Sequence, residues 1–219
     1  MTMQAQWDAL HRDPRFRPRY PAESVVRFRF TQFPREGVAD LHVLDVGIGG
    51  GRHAYFFASE GFQVSGVDFS AESVAHARQW LDSAGLTADL RAADMRALPF
   101  ADAQFDGLVS AGVLCYAAEE GVRRAIAEMH RVLRPGGKAL VITRTTADYR
   151  YGKGREIGRN TFVLDTAETN EAGMTMFFFD EGDVGALFAA FSNVAVDRND
   201  FTLGGGAVAN SDWIITLEK

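Results

Sequence analysis

Along this chain an apolar run, Val43 to Val46, stops at a glycine-dense turn, Gly47-Ile48-Gly49-Gly50-Gly51. An apolar-faced stretch from Arg52 to Glu60 follows, then a second apolar run, Gln63 to Asp68. That order predicts strand, tight turn, helix and strand. Ser70 is a good N-cap for a helix from Ala71 to about Ala84, stopped by Gly85. Ala88 to Ala92 reads as a short third strand. Phe105 to Ser110 is a fourth, apolar enough to lie centrally in a parallel sheet. Val122, Ile126, Met129 and Leu133 recur at helical spacing in Gly121 to Leu133, which Pro135-Gly136-Gly137 ends, and Lys138 to Thr143 is strand five.

The pattern changes after Thr143. Arg144 to Asn160 is basic and glycine-bearing, with Arg144, Arg150, Lys153, Arg155 and Arg159 outnumbering Asp148 and Glu156. Two strands, Thr161 to Leu164 and Met174 to Phe179, are joined by an acidic loop, Asp165 to Gly173. A helix from Asp180 to Phe191, capped by Asp180, leads to closing strands at Asn193 to Phe201 and Ser211 to Leu217. At the other end, prolines at 14, 18, 21 and 34 leave Ala22 to Phe33 as the one long helix in an aromatic, arginine-rich segment.

Composition narrows the class. The 219 residues suit one domain with a sizeable core, and 47% hydrophobic with 24% charged residues is ordinary for a soluble globular protein. No apolar run approaches the ~20 residues of a membrane span, and the N-terminus lacks a signal peptide's apolar stretch. The single cysteine, Cys115, excludes an internal disulfide and points to a reducing cytoplasm. Neither it nor the five histidines shows metal-ligand spacing, so no metal is expected. A net charge of −6 argues against a nucleic-acid partner. A monomer and a homodimer are equally compatible.

The glycine turn carries the chemistry. Glycines let backbone approach a ligand where a Cβ would clash, and the next helix offers unpaired N–H groups to a negative group. Asp68, at the tip of the second strand, can accept hydrogen bonds from both hydroxyls of a ribose. The ligand should therefore contain a nucleoside. Two cofactor classes fit. Gly49-x-Gly51-x-x-Ala54 satisfies a dinucleotide pattern, though Asp68 then comes early and Gly47 has no role. Read from Asp45 as D-x-G-x-G-x-G, every glycine except Gly50 has a place. Asp45 itself, inside an apolar strand, should accept N–H bonds from the turn, since an unpaired carboxylate there is costly.

The longer pattern resembles the class I S-adenosylmethionine-dependent methyltransferases, and the resemblance continues downstream. Glu60 to Ser70 is similar to their second strand and ribose-binding acid. Ala93-Asp94-Met95-Arg96-Ala97-Leu98-Pro99-Phe100 resembles the loop where an acid meets the adenine amino group. Phe105 to Ser110 resembles strand four, and Met129 to Lys138 the helix and turn before strand five. These motifs cover roughly residues 41 to 143.

The resemblance implies a Rossmann-like three-layer α/β sandwich with a seven-stranded mixed sheet, its last strand antiparallel. It implies S-adenosyl-L-methionine as cofactor, S-adenosyl-L-homocysteine as product, and a cofactor site of Asp45, Gly47, Ile48, Gly49, Gly51, Asp68, Phe69, Ser70, Asp94, Met95, Ser110 and Ala111. It also suggests the parts of one domain: an N-terminal lid or cap (1–36), a cofactor core (41–143), an acceptor-side insert (144–179) and a closing helix with strands (180–219). The acceptor is expected to be a small molecule, and the insert's positive charge suggests an anionic one held by Arg144, Arg150 and Arg155, with Tyr20 and Tyr116 at the pocket. No catalytic residue is identified: His53, in a first helical turn where the positive dipole end lowers its pKa, reads as structural. A nicotinamide-dependent oxidoreductase and a non-catalytic cofactor-binding protein of the same fold remain alternatives.

Overall fold

The structure is a computed structural model that describes residues 7–8, 12, 17–165 and 171–219. Much of the 1–36 segment and the middle of the acidic loop therefore lie outside the described residues. In chain order the elements are α1 (Glu23–Gln32), β1 (His42–Val46), α2 (Arg52–Ser59), β2 (Gln63–Asp68), α3 (Ala71–Ser83), β3 (Asp89–Ala92) and β4 (Phe105–Ala111). There follow α4 (Glu119–Val132), β5 (Leu133–Arg144), β6 (Gly154–Gly158), β7 (Thr161–Leu164), β8 (Thr175–Phe177), α5 (Glu181–Leu187), β9 (Ser192–Leu203) and β10 (Val208–Glu218).

Seven strands form one sheet in the order β3-β2-β1-β4-β5-β10-β9. The first five are parallel, and β10 runs antiparallel to both β5 and β9. Alternation along the central strands explains why both faces are dry. Leu44, Val46 and Leu108 point to one face with Val122, Ile126 and Met129 of α4; Val43 and Val109 point to the other with Phe28, Phe57 and Ala77 of α1, α2 and α3. Each fully buried side chain of this size is worth about 1.5–3 kcal/mol against exposure, so it is the burial of the helix stripes that fixes the three layers.

The order runs outward in one direction from β1 to β3 and in the other from β4 to β5. Between β1 and β4 the chain's winding reverses, which opens a crevice at the carboxyl ends of these two strands. That crevice is where the glycine turn lies.

Local signals account for the element ends. The Ser70 hydroxyl accepts from the Ser73 N–H at 3.1 Å, and Asp180 and Asp183 form a reciprocal capping box on α5. Differences from the sequence reading cluster after β5. That strand begins at Leu133, not Lys138, because a register shift opposite Phe105 to Gly107 lets the proline-glycine turn stay in the ladder. The basic stretch is not all loop: Gly154–Gly158 pairs with β7, and β6, β7 and β8 make a separate antiparallel sheet. Glycine and charge hid that strand, since β6 is exposed throughout and has no apolar alternation. Phe162, Phe177, Phe178 and Phe179 anchor this small sheet in the core. The helix expected to reach Phe191 ends at Leu187. Among the described residues no helix is long and apolar enough to cross a membrane.

Gly51 shows how tightly α2 is seated. Its φ is +92°, and a Cβ there would lie 2.8 Å from Ala77 Cβ on α3. Gly51→Ala should therefore cost about 1–3 kcal/mol, measured by denaturant unfolding. Adding Ala77→Gly should restore only the steric part. Full recovery would mean that backbone strain at Gly51 contributes nothing.

Candidate functional site

A cavity of about 430 Å3 opens at the carboxyl ends of β1, β2 and β4. Its size suits a small organic ligand. One side is the glycine turn. The Gly47 and Ile48 N–H groups both donate to the Val67 carbonyl, at 2.8 and 3.0 Å, so the turn is tied to β2. Gly47 has φ +79° and faces Val113, whose Cβ would be 2.6 Å from a Cβ at position 47. Gly47 is thus required by close approach to the loop after β4 as well as by its backbone angle.

Asp68 closes the turn from the other side. One carboxylate oxygen accepts the Gly49 N–H at 2.8 Å and the other accepts the Ser70 N–H at 2.8 Å. These bonds hold an acceptor-only group at the cavity wall. Asp94, after β3, accepts the Arg96 N–H at 2.9 Å and pairs with the Arg96 guanidinium at 2.5 Å. That pairing holds the Asp94 carboxyl below the usual carboxylate range. Both Asp94 and Arg96 line the cavity, as do Met95 and the half-exposed ring of Phe69.

Asp45 lies just behind the wall, not on it. It is fully buried and accepts the Ala54 N–H at 3.1 Å. The donor is thus the first turn of α2, not the glycine turn expected from sequence. Burial pushes its carboxyl up to about 7, against the pull of that N–H and of Arg52. Its neighbour His53 is pushed down to about 3 by burial and then by Arg52. A ring this weakly basic stays neutral at ordinary pH and is a poor proton acceptor; its Nε2 accepts the Ala22 N–H at 3.4 Å.

The expected site residues separate into groups. Gly47, Ile48, Gly49, Asp68, Phe69, Asp94, Met95, Ala111 and Tyr116 meet at the cavity. Gly51, Ser70 and Ser110 stand behind it: Gly51 packs on α3, Ser70 caps it, and Ser110 is fully buried.

The insert's arginines do not converge on the cavity, which corrects that expectation. Arg144 pairs with Asp212 at 2.6 Å. Arg150 pairs with Glu171 at 2.6 Å and Asp148 at 2.9 Å. Arg155 sits on the exposed strand β6. Acidic residues distant in sequence neutralise the first two charges, which a count along the insert could not show. Tyr20 is 79% exposed and off the wall; its carbonyl accepts from Arg52 at 3.4 Å. Of the Trp7-to-Tyr20 segment, Trp7 and Pro18 line the cavity, while much of the remainder falls outside the described residues.

Sequence reasoning missed Arg52, Val113, Ala117, Ile157 and Thr175, all of which line the cavity. Arg52 directly follows the last glycine of the turn, and Ile157 is an isolated apolar residue in a basic stretch. Those were the available signals. The remaining three come from loop and sheet geometry alone.

Comparison with known proteins agrees with this layout. The model of a methyltransferase domain matches residues 43–137. Phosphatidylethanolamine N-methyltransferase of Cereibacter sphaeroides is 35% identical over 108 residues, 48% of this chain and 52% of that protein. The chain thus spans about half the length of this curated relative. A probable S-adenosylmethionine-dependent methyltransferase of Mycolicibacterium smegmatis is 29% identical over 184 residues, 80% of this chain and 68% of that protein. The crystal structure of a SAM-dependent methyltransferase from Methanosarcina mazei superposes with a TM-score of 0.72 at 22% identity, covering 91% of this chain and 98% of that one. At that identity the match speaks to the fold.

The buried His53 has a checkable consequence. With its pKa lowered from 6.5 to about 3, the folded state binds fewer protons than the unfolded state between those values. The group's contribution is therefore intact above pH 6.5 and is lost as pH falls toward 3, at about 1.4 kcal/mol per pH unit. Replacing it by Gln should flatten the acid limb of the unfolding free energy by that slope. An unchanged acid limb would mean that His53 protonates without cost.

Proposed function

We propose that this chain, similar to class I S-adenosylmethionine-dependent methyltransferases, binds S-adenosylmethionine in this cavity and transfers its methyl group to a small-molecule acceptor. One observation carries the reading: Asp68, the glycine turn and Asp94 converge on one cavity at the switch point of the sheet. The fit is chemical as well as topological. Asp68 is an acceptor-only carboxylate with about four lone-pair sites, which suits ribose hydroxyls. Asp94 and the Met95 backbone suit the adenine edge. Arg52, at the start of α2, suits a ligand carboxylate.

S-adenosylmethionine bound there would supply an electrophilic methyl group that carries its own sulfur leaving group. The chain's own part is to align that group with the acceptor and exclude water. Neither His53 nor Tyr116 is a ready base: burial leaves His53 weakly basic, and burial and Glu171 keep Tyr116 well above its usual pKa. The acceptor's own nucleophilicity must then suffice.

The anionic acceptor expected from the insert loses its support once Arg144 and Arg150 are matched by internal acids. The nicotinamide reading is disfavoured by β10, which inserts antiparallel where the dinucleotide fold is parallel. The non-catalytic alternative differs only in turnover.

Calorimetry with S-adenosylhomocysteine tests the site. Asp68→Ala should weaken binding by about 2–3 kcal/mol, since ribose hydroxyls lose a charged acceptor and the Gly49 N–H loses its anchor. Wild-type affinity in a folded variant would remove Asp68 from the site, and NADH binding without S-adenosylhomocysteine binding would overturn the proposal.

A further inference from the structure

The charges around the cavity are unevenly placed. Asp68, Arg52 and His53 belong to the glycine-turn side, and Asp94 and Arg96 are bonded to each other after β3. Trp7, Val113, Tyr116, Ala117, Ile157 and Thr175 also line the cavity and form an uncharged part of its wall.

Its one aromatic hydroxyl is already committed. The Tyr116 O–H donates to one Glu171 carboxylate oxygen at 2.5 Å, and the other accepts from Arg150 Nε at 2.6 Å. Arg150 in turn is held by Asp148, which is buried and also accepts the Ser211 N–H at 3.2 Å. This chain of bonds turns the polar tip of Tyr116 away toward the acids. Its ring meets Trp7 edge-on, with centroids 4.6 Å apart and planes at 89°. Two aromatic rings at right angles present flat apolar surfaces. A carboxylate or phosphate placed against those ring faces would lose hydration with no cation there to offset it, at a cost of several kcal/mol.

Resting on the methyltransferase reading, we propose that this wall selects a neutral, largely apolar, ring-bearing acceptor. The second sheet supplies that specificity through Ile157 and Thr175, while Arg150, in the loop before β6, holds the Glu171 that fixes Tyr116. Acceptor choice is thus set by hydrophobic fit and by rejection of charge.

The test uses the full chain loaded with S-adenosylhomocysteine, titrated calorimetrically with naphthol and with hydroxynaphthoate. Naphthol should bind about tenfold more tightly or better than its carboxylated counterpart. Ile157→Lys, on the exposed strand β6, should abolish that preference when the variant is saturated with S-adenosylhomocysteine, with circular dichroism reporting that the variant is folded. Equal or tighter binding of hydroxynaphthoate to the wild type would overturn the inference. So would failure of both probes to bind the loaded protein, or an Ile157→Lys variant that keeps the wild-type preference. Failure of S-adenosylhomocysteine itself to bind would instead remove the methyltransferase reading on which the inference rests.

Discussion

The two backbone bonds to Asp68 are the constraint on which the site depends. One carboxylate at the tip of β2 holds both the Gly49 N–H of the turn after β1 and the Ser70 N–H that opens α3. Charge-assisted bonds of this kind are roughly twice as strong as neutral ones, so they can fix a glycine-rich turn that has little stiffness of its own. The glycine-turn side of the cavity is positioned by that clamp. The turn is further tied to Val67 and packed against Val113, so it is gripped from β2 and from the loop after β4.

The sheet and most of the turn chemistry were legible in the sequence because both obey local rules. Apolar runs bounded by Gly47, Asp68 and Gly85 mark strands and helices, and Ser70 and Asp180 act as the caps their positions imply. The seven-stranded mixed sheet followed from the resemblance and is what the structure has. The insert after β5 was the weak point. A charge count along Arg144 to Asn160 suggested a basic pocket, yet Asp212 and Glu171, outside that stretch, pair with Arg144 and Arg150. Pairing across 21 to 68 residues leaves no periodic trace. Strand β6 was missed for a related reason: with every residue exposed, it has no apolar face to advertise.

The electrostatics behind the turn divide the labour between neighbouring residues. Asp45 and His53 are both buried at the base of α2, and burial drives each toward its neutral form. They serve the fold by anchoring the first turn of α2 and the start of α1, at Ala54 and Ala22.

Amide hydrogen exchange with and without S-adenosylhomocysteine tests the central claim most directly, because it reads the whole chain at once. Ligand should slow exchange in the glycine turn around residues 47–52, at the tip of β2 and Ser70, and in the loops around 93–97 and 111–117. The edge strand β9, far across the sheet order from β1, should be unchanged. No protection at the glycine turn, or protection confined to β9 and β10, would contradict the placement of the ligand at the switch point.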